Sequence, residues 1–303
     1  MNSQPSVPWR SLIALSQPLL LVEGALLFAL GAAMAAYLGA QLPAARYLAG
    51  QIIVSLLQLS AHALFALFAV PGDRLQPDRR LPPLRPDEPG VPLRWLIAMA
   101  AAGLTTAATL GAWLLATGQL PPVTAVILAA AALTSYALCA PPVRAMESAY
   151  GAWIVSILLG AGIPSLAFTL FAGNLHRLLV MSTAPLVCFL FGAHLALLLP
   201  SYGRRPASRQ TDLMSRLGWQ RGMQLHDLSI LIGFLLFAIS LGIGLPRRVA
   251  YGMLVVLPVG LMQVWYMNRI RSGEPPRWGL LRLSSVGLVG LSTYLQLAGY
   301  WLS

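Results

Sequence analysis

Long apolar runs dominate this sequence and constrain its fold more than any other feature. Nine of them have roughly the 20 residues that an α-helix needs to cross about 30 Å of hydrocarbon. Segments in lipid must satisfy their own backbone hydrogen bonds, and runs this long do so as helices rather than as barrel strands. The sequence therefore predicts an all-α transmembrane bundle in one domain, residues 1–303, with helices near 16–39, 47–70, 93–117, 121–139, 149–173, 178–200, 224–245, 249–268 and 279–301.

Charge is scarce in this chain and mostly positive. Only 10% of the residues are charged, against about 25% in soluble domains. The 20 basic residues are all arginine and outnumber nine acids, which gives a formal net charge of +11. Arginine in short loops is typical of membrane proteins, so we expect a lipid bilayer and no nucleic acid as partner. The two cysteines form no CxxC or Cys/His cluster, so no structural zinc site is predicted.

The distribution of arginine between the predicted loops sets the orientation. Sixteen arginines fall on the side of the N-terminus and four on the opposite side. Because arginine accumulates in cytoplasmic loops, we expect a bacterial-type inner-membrane protein with its N-terminus in the cytoplasm and its C-terminus outside. No small-residue cleavage site follows a short apolar core, which indicates an uncleaved first helix rather than a signal peptide.

Two segments suggest a weak internal duplication, with two four-helix halves and a ninth helix. The second and sixth apolar runs each carry a histidine, His62 or His194, some two turns before a proline-containing exit into an arginine-rich loop. Repeats in membrane bundles commonly form a site at their interface. The two histidines are therefore candidate cavity-lining residues that bind a cofactor or metal; alternatively, they are hydrogen-bonded packing residues.

Glu23 is the one acid well inside an apolar run. A charge at mid-membrane costs a few kcal/mol on insertion scales, so ionisable groups there usually face the bundle interior. Two interpretations stay open. Glu23 lines a cavity and orients an aromatic or tetrapyrrole head group, or it is protonated and bonded to a neighbouring helix.

Three short motifs give the sequence a resemblance to a known family. They are Leu15-Ser16-Gln17-Pro18, the stretch YALCAPPVR from Tyr136 to Arg144, and a set after the sixth run that comprises Pro200, Tyr202, Thr211 and Arg216-Leu217-Gly218. These resemble L-x-R-P, Y-S-x-P-P-x-R and P-D-Y-x-x-D … K-x-T-L-x-x-R-L-G of the UbiA superfamily of intramembrane prenyltransferases. Members of that superfamily prenylate quinone precursors, make haem O and esterify chlorophylls.

The resemblance implies a nine-helix UbiA-like fold and transfer of an isoprenoid chain to an aromatic or polycyclic acceptor, as in quinone biosynthesis. Family members carry N-D-x-x-D at the end of the second helix and a further aspartate motif after the sixth, which hold magnesium and the prenyl diphosphate. This sequence departs from both motifs, and the corresponding positions are Phe65, Ala66, Phe68, Ala69, Ser201 and Arg205. Magnesium prefers carboxylate oxygens, so the sequence predicts no metal ligands and weakened or lost magnesium-dependent catalysis.

Whether the chain is an enzyme therefore stays open at this point. The alternative is a pseudoenzyme, a membrane subunit that binds an isoprenoid, quinone or pigment without catalysis and associates with a partner in a membrane complex. A transporter is a third possibility. The candidate ligands for a prenyl diphosphate are Arg144, Tyr202, Arg204, Arg205 and Arg209. Guanidinium groups match phosphate oxygens bidentately, although topology and lipid head-group contact also explain these arginines.

The predicted orientation can be tested with reporter fusions. Alkaline phosphatase, which is active only outside the cytoplasm, is fused after Gly118, Gly173 or Gly273. We expect activity at Gly118 and Gly173 and none at Gly273, because only the last lies in a predicted cytoplasmic loop. The reverse pattern would show that the orientation is wrong.

Overall fold

The computed structural model describes residues 9–68, 92–202 and 213–302. Nine helical segments in these ranges are long and apolar enough to cross a membrane, with α6 and α7 together forming one of them. The predicted all-α transmembrane bundle is thereby confirmed. The helices are α1 (Trp9–Ser16), α2 (Pro18–Tyr37), α3 (Ala44–Phe68), α4 (Leu93–Ala116), α5 (Pro122–Cys139), α6 (Gly151–Ile157), α7 (Ile163–Ala172), α8 (Arg177–Leu198), α9 (Leu213–Leu217), α10 (Trp219–Gly242), α11 (Arg247–Arg271) and α12 (Trp278–Trp301).

Proline and glycine set several of the helix ends. Pro18 and Pro122 are the first residues of α2 and α5. An N–H group at this position has no acceptor within the helix, so proline, which lacks the N–H, loses no hydrogen bond there. Gly173 ends α7 with a φ of 75°, a left-handed conformation that glycine adopts without strain. The largest difference from the sequence prediction is α10, which begins at Trp219 rather than at 224. Hydropathy marks only the apolar part of a helix and misses its polar first turn.

Glycine lets α2 approach its neighbours closely. Gly31 lies against the Pro164 carbonyl and the Ala167 methyl group of α7, and Gly24 lies against the Gln58 side chain of α3. Small residues at such contacts allow the extensive van der Waals packing that holds membrane helices together. The centre of α2 is accordingly buried, with Leu27, Phe28, Leu30 and Met34 fully enclosed.

The fifth span contains one π-helical turn, Leu158–Gly162, between α6 and α7. Pro164 lies directly after this turn, and such turns accommodate a local mismatch in the helical hydrogen-bond pattern. Gly160 within the turn packs against Val187 and Leu190 of α8. The turn therefore brings the backbone of the fifth span close to α8.

α8 is the central helix of the described bundle. Over its most apolar 18 residues, 78% of α8 is buried, against 17% for α5 at the periphery. α8 packs extensively on α10 and α12, and α2 packs on α7 and α12. The central helices of the fold are thus α2, α8 and α12, and their ends on one side of the bundle meet at the site described below.

Substitution of Gly31 tests the close contact between α2 and α7. Gly31→Ala adds a methyl group that meets the Pro164 backbone, and overpacking of this kind costs about 1–3 kcal/mol. We expect a lower thermal unfolding temperature in detergent than for the wild type. Gly287→Ala in α12 is the matched control, because no atom lies within 4 Å of its added Cβ. Equal unfolding temperatures for the two variants would refute this packing.

Candidate functional site

An open cavity of about 710 Å³ lies where the N-terminal ends of α2 and α12 meet the C-terminal end of α8. Its walls are mostly apolar, and Gln17, Trp278 and Arg282 provide the polar side chains. No acid occurs among the described residues that line it, so the lining carries a net positive charge from Arg282. The lining residues are Gln17, Pro18, Leu19, Leu20, Ala196, Leu197, Pro200, Trp278, Gly279, Arg282 and Val286.

The motif around Gln17 forms a break in the helix beside this cavity. Gln17 separates α1 from α2 with φ 48° and ψ 65°, a left-handed conformation that is uncommon outside glycine. Its carbonyl oxygen accepts hydrogen bonds from the backbone N–H groups of Leu20 at 2.9 Å and Leu21 at 3.3 Å. The side chain of Gln17 makes no capping hydrogen bond to α2, and Gln17 lines the cavity.

Glu23 lies one turn deeper in the bundle than the α2 residues that line the cavity. The residue is 8% exposed, and its Oε1 atom is buried without a hydrogen-bond partner among the described residues. Residues three and four apart share one face of a helix, so Glu23 is on the same face as Leu19 and Leu20. Glu23 is not among the lining residues, and the helical spacing places it one turn beyond Leu19 and Leu20.

Both candidate histidines make hydrogen bonds within the protein. The Nδ1 atom of His62 lies 3.0 Å from the Ser16 carbonyl oxygen, which ties α3 to the end of α1. The Nδ1 atom of His194 lies 3.0 Å from the Ser156 hydroxyl oxygen, and that hydroxyl donates to the Ala152 carbonyl. Each Nδ1–H therefore donates a hydrogen bond, which fits the packing interpretation and also fits a ligand at Nε2, since metal-binding histidines usually donate their other ring N–H to the protein. Within the described ranges, no three residues of the His, Cys, Asp and Glu types are grouped as metal ligands.

Arg144 contacts the end of α3. One guanidinium nitrogen, Nη2, donates to the Phe68 carbonyl oxygen at 2.7 Å and to Glu147 Oε1 at 2.5 Å. Carbonyl groups in the last turn of a helix lack partners within the helix, and cationic side chains stabilise them. Arg144 thus contacts the backbone carbonyl of Phe68 and not its phenyl side chain.

The other motif positions are apolar or lie at the edge of the described ranges. Phe65 is exposed, whereas Ala66 and Phe68 are half-buried, and none of the three has a side-chain oxygen. The chemistry of this end of α3 therefore does not fit magnesium. Tyr202 is exposed directly after the helical turn Leu199–Ser201. Ala69, Arg204, Arg205 and Arg209 lie outside the described residues.

Two groups of polar residues were not predicted from the sequence. Arg282 and Trp278 line the cavity, although their only signal was that they flank an apolar run. His226 is fully buried in α10, with its Nδ1 atom 3.0 Å from Asp227 Oδ1. Arg271 of α11 approaches Asp227 Oδ2 to 3.5 Å. Asp227 falls inside the predicted span 224–245, and an acid in that position could have indicated an ionic contact between helices.

Comparison with known proteins settles the fold. No protein-family model and no curated protein matches the sequence. A UbiA homologue from Archaeoglobus fulgidus bound to Cd²⁺ superposes with a TM-score of 0.63 at 12% identity, covering 94% of this chain and 99% of that one. This chain has a UbiA-type fold.

Two further structures have the same UbiA-type fold. The Archaeoglobus fulgidus homologue bound to DMAPP and Mg²⁺ gives a TM-score of 0.61 at 12% identity, with coverage of 94% of this chain and 99% of that chain. A digeranylgeranylglyceryl phosphate synthase gives 0.63 at 10% identity, with 93% of each chain covered. The fold resemblance predicted from the sequence motifs is confirmed.

The role of Arg144 can be tested without any ligand. Arg144→Ala removes the hydrogen bond to the Phe68 carbonyl, and loss of a hydrogen bond to a charged group costs about 1.5–3 kcal/mol. We expect the variant to unfold at a lower temperature than the wild type in detergent. Glu147→Ala, which keeps the bond to Phe68, should lower the unfolding temperature less. If the Arg144 variant unfolds at the wild-type temperature, the contact does not stabilise α3.

Proposed function

We propose that this protein is an integral membrane protein of the UbiA-like prenyltransferase type that binds an isoprenoid lipid, with magnesium-dependent chain transfer weakened or lost. The observation that carries the proposal is the end of α3. Phe65, Ala66 and Phe68 stand there in place of metal-binding residues, and Arg144 is bonded to the Phe68 carbonyl.

The fold and the cavity support the binding of an isoprenoid. The similar homologue from Archaeoglobus fulgidus binds DMAPP, a prenyl diphosphate. In this chain, leucine, proline and valine side chains form most of the wall of the 710 Å³ cavity. Apolar walls suit an isoprenoid chain because its burial removes hydrocarbon from water.

The donor chemistry of the described residues argues against efficient chain transfer. Cleavage of the prenyl C–O bond leaves an allylic cation and a free diphosphate, and charge builds up on the leaving group. A magnesium ion stabilises that charge when carboxylates hold the ion in place. The end of α3 offers phenyl rings and methyl groups instead, and the described ranges contain no cluster of three acidic, histidine or cysteine ligands. We therefore assign no catalytic step to a metal.

Direct contact between arginines and an anionic head group is part of the same proposal. Arg204, Arg205 and Arg209 follow Tyr202 in the sequence, and we propose that they contact phosphate oxygens bidentately without an intervening metal. Arg144 is less suited to this role because its guanidinium already bonds to Phe68 and Glu147. With the predicted orientation, these contacts are cytoplasmic.

If magnesium-dependent transfer is lost completely, the same proposal describes a membrane subunit that binds its lipid without catalysis. The apolar side chains at the end of α3 favour this case, because they offer no group that could act on a leaving diphosphate. The Nδ1 contacts of His62 and His194 within the protein are compatible with packing roles. An isoprenoid or quinone is accordingly the ligand that we favour.

The proposal predicts lipid binding without turnover. Purified protein is incubated with magnesium, labelled prenyl diphosphates of several lengths and a panel of aromatic acceptors, beside an active UbiA-type prenyltransferase as control. We expect release of diphosphate at the background rate, because Phe65, Ala66 and Phe68 offer no side-chain oxygen as a metal ligand. Mass spectrometry of lipids extracted from gently purified protein should show an isoprenoid enriched over its share in the membrane.

Two outcomes would contradict this proposal. Turnover comparable with that of the control enzyme would show that catalysis is intact. Recovery of bulk phospholipid alone would show that the cavity does not select an isoprenoid.

A further inference from the structure

Glu23 and the cavity belong to one continuous face of α2. Leu19 and Leu20 line the cavity, and Glu23 follows them by four and three residues on the same helical face. The rise of 1.5 Å per residue places Glu23 about 5–6 Å deeper than these leucines. On the opposite wall, α12 contributes Arg282 and then Val286 one turn deeper, and α2 and α12 pack against each other.

Two acceptor atoms lie unpaired at this depth. Glu23 Oε1 is buried without a partner, and so is Oε1 of Gln58 on α3. The Gln58 side chain packs against Gly24, the neighbour of Glu23, and its Nε2 atom donates to the Leu20 carbonyl at 3.4 Å. Buried polar groups in proteins nearly always have a hydrogen-bond partner, so this part of the bundle is suited to a ligand that brings a donor.

We propose that Glu23 binds the hydroxyl group of an uncharged isoprenoid lipid whose chain lies along the apolar walls of the cavity. This inference rests on the proposed function and specifies its ligand class. The hydroxyl donates a hydrogen bond to a Glu23 oxygen, and the chain packs against Leu19, Leu20 and Leu197. The bond is non-covalent, and no group is transferred.

The same residues disfavour a prenyl diphosphate at this depth. A diphosphate requires positive charge, and the lining cation, Arg282, is an exposed residue one turn nearer the mouth than Val286. Glu23 offers no positive charge in either protonation state, and as a carboxylate it repels a phosphate. The site therefore discriminates between lipids by their head groups.

Matched ligands test this specificity on the intact protein. The probes are geranylgeraniol, its methyl ether, which lacks the donor, and geranylgeranyl diphosphate, and equilibrium dissociation constants are measured in nanodiscs. For the wild type we expect the alcohol to bind about fivefold or more tightly than the ether, the usual contribution of one hydrogen bond. The diphosphate, which we propose contacts Arg204, Arg205 and Arg209, should have the same dissociation constant in the wild type and in the Glu23 variants.

Three variants assign the preference to Glu23. Glu23→Met removes both oxygens at similar length and should bind alcohol and ether equally, whereas Glu23→Gln keeps a hydrogen-bonding group and should retain part of the preference. Gln296→Leu is the matched control, because Gln296 is also fully buried with unpaired side-chain atoms but lies deeper along α12 than the cavity. It should show the wild-type ratio.

The outcomes separate this inference from the proposed function. Equal binding of alcohol and ether to the wild type overturns the role of Glu23 while leaving isoprenoid binding intact, and that comparison needs no variant to fold. An undiminished alcohol preference in Glu23→Met also overturns it. If none of the three probes binds to the wild type, the proposed function fails together with the inference.

Discussion

The contact between Arg144 and the Phe68 carbonyl holds together two segments of the bundle that are 76 residues apart in the chain. It joins the loop after α5 to the last turn of α3 at 2.7 Å. A guanidinium bonded in this way stabilises the helix end and is less available to a phosphate. The apolar side chains of Phe65 and Phe68 complete a helix end that suits packing better than metal binding. The proposed loss of magnesium-dependent transfer depends on this contact and on these apolar side chains.

The sequence predicts the fold well because hydropathy is a local property. Every membrane span was found from runs of apolar residues, and the one clear difference, the start of α10 at Trp219, lies where a polar turn extends an apolar helix. The site was less predictable because its contacts join residues far apart in the chain. The bonds of His62 to Ser16 and of His194 to Ser156, for example, join residues 46 and 38 positions apart, and no local pattern indicates them. From the sequence alone, the cavity residue Arg282 could not be distinguished from an arginine that only determines the orientation in the membrane.

The cavity and the apolar end of α3 together support the proposed function. A wall of leucine, proline and valine encloses a space that we propose binds a lipid chain, whereas the end of α3 carries Phe65, Ala66 and Phe68. Glu23 adds a polar group at the deep end of the same helical face, buried and unpaired. A buried group of this kind carries a free-energy penalty that a suitable ligand relieves. The resulting site is suited to recognition of a head group rather than to ionisation of a leaving group.

The magnesium dependence of prenyl diphosphate affinity tests the central claim most directly. The dissociation constant of geranylgeranyl diphosphate is measured for the full-length protein with saturating magnesium and again with chelator. A site without metal ligands predicts the same constant in both conditions. An affinity that rises about tenfold or more with magnesium, a gain of about 1.4 kcal/mol, would show that the protein holds a functional metal–diphosphate centre and would contradict the account.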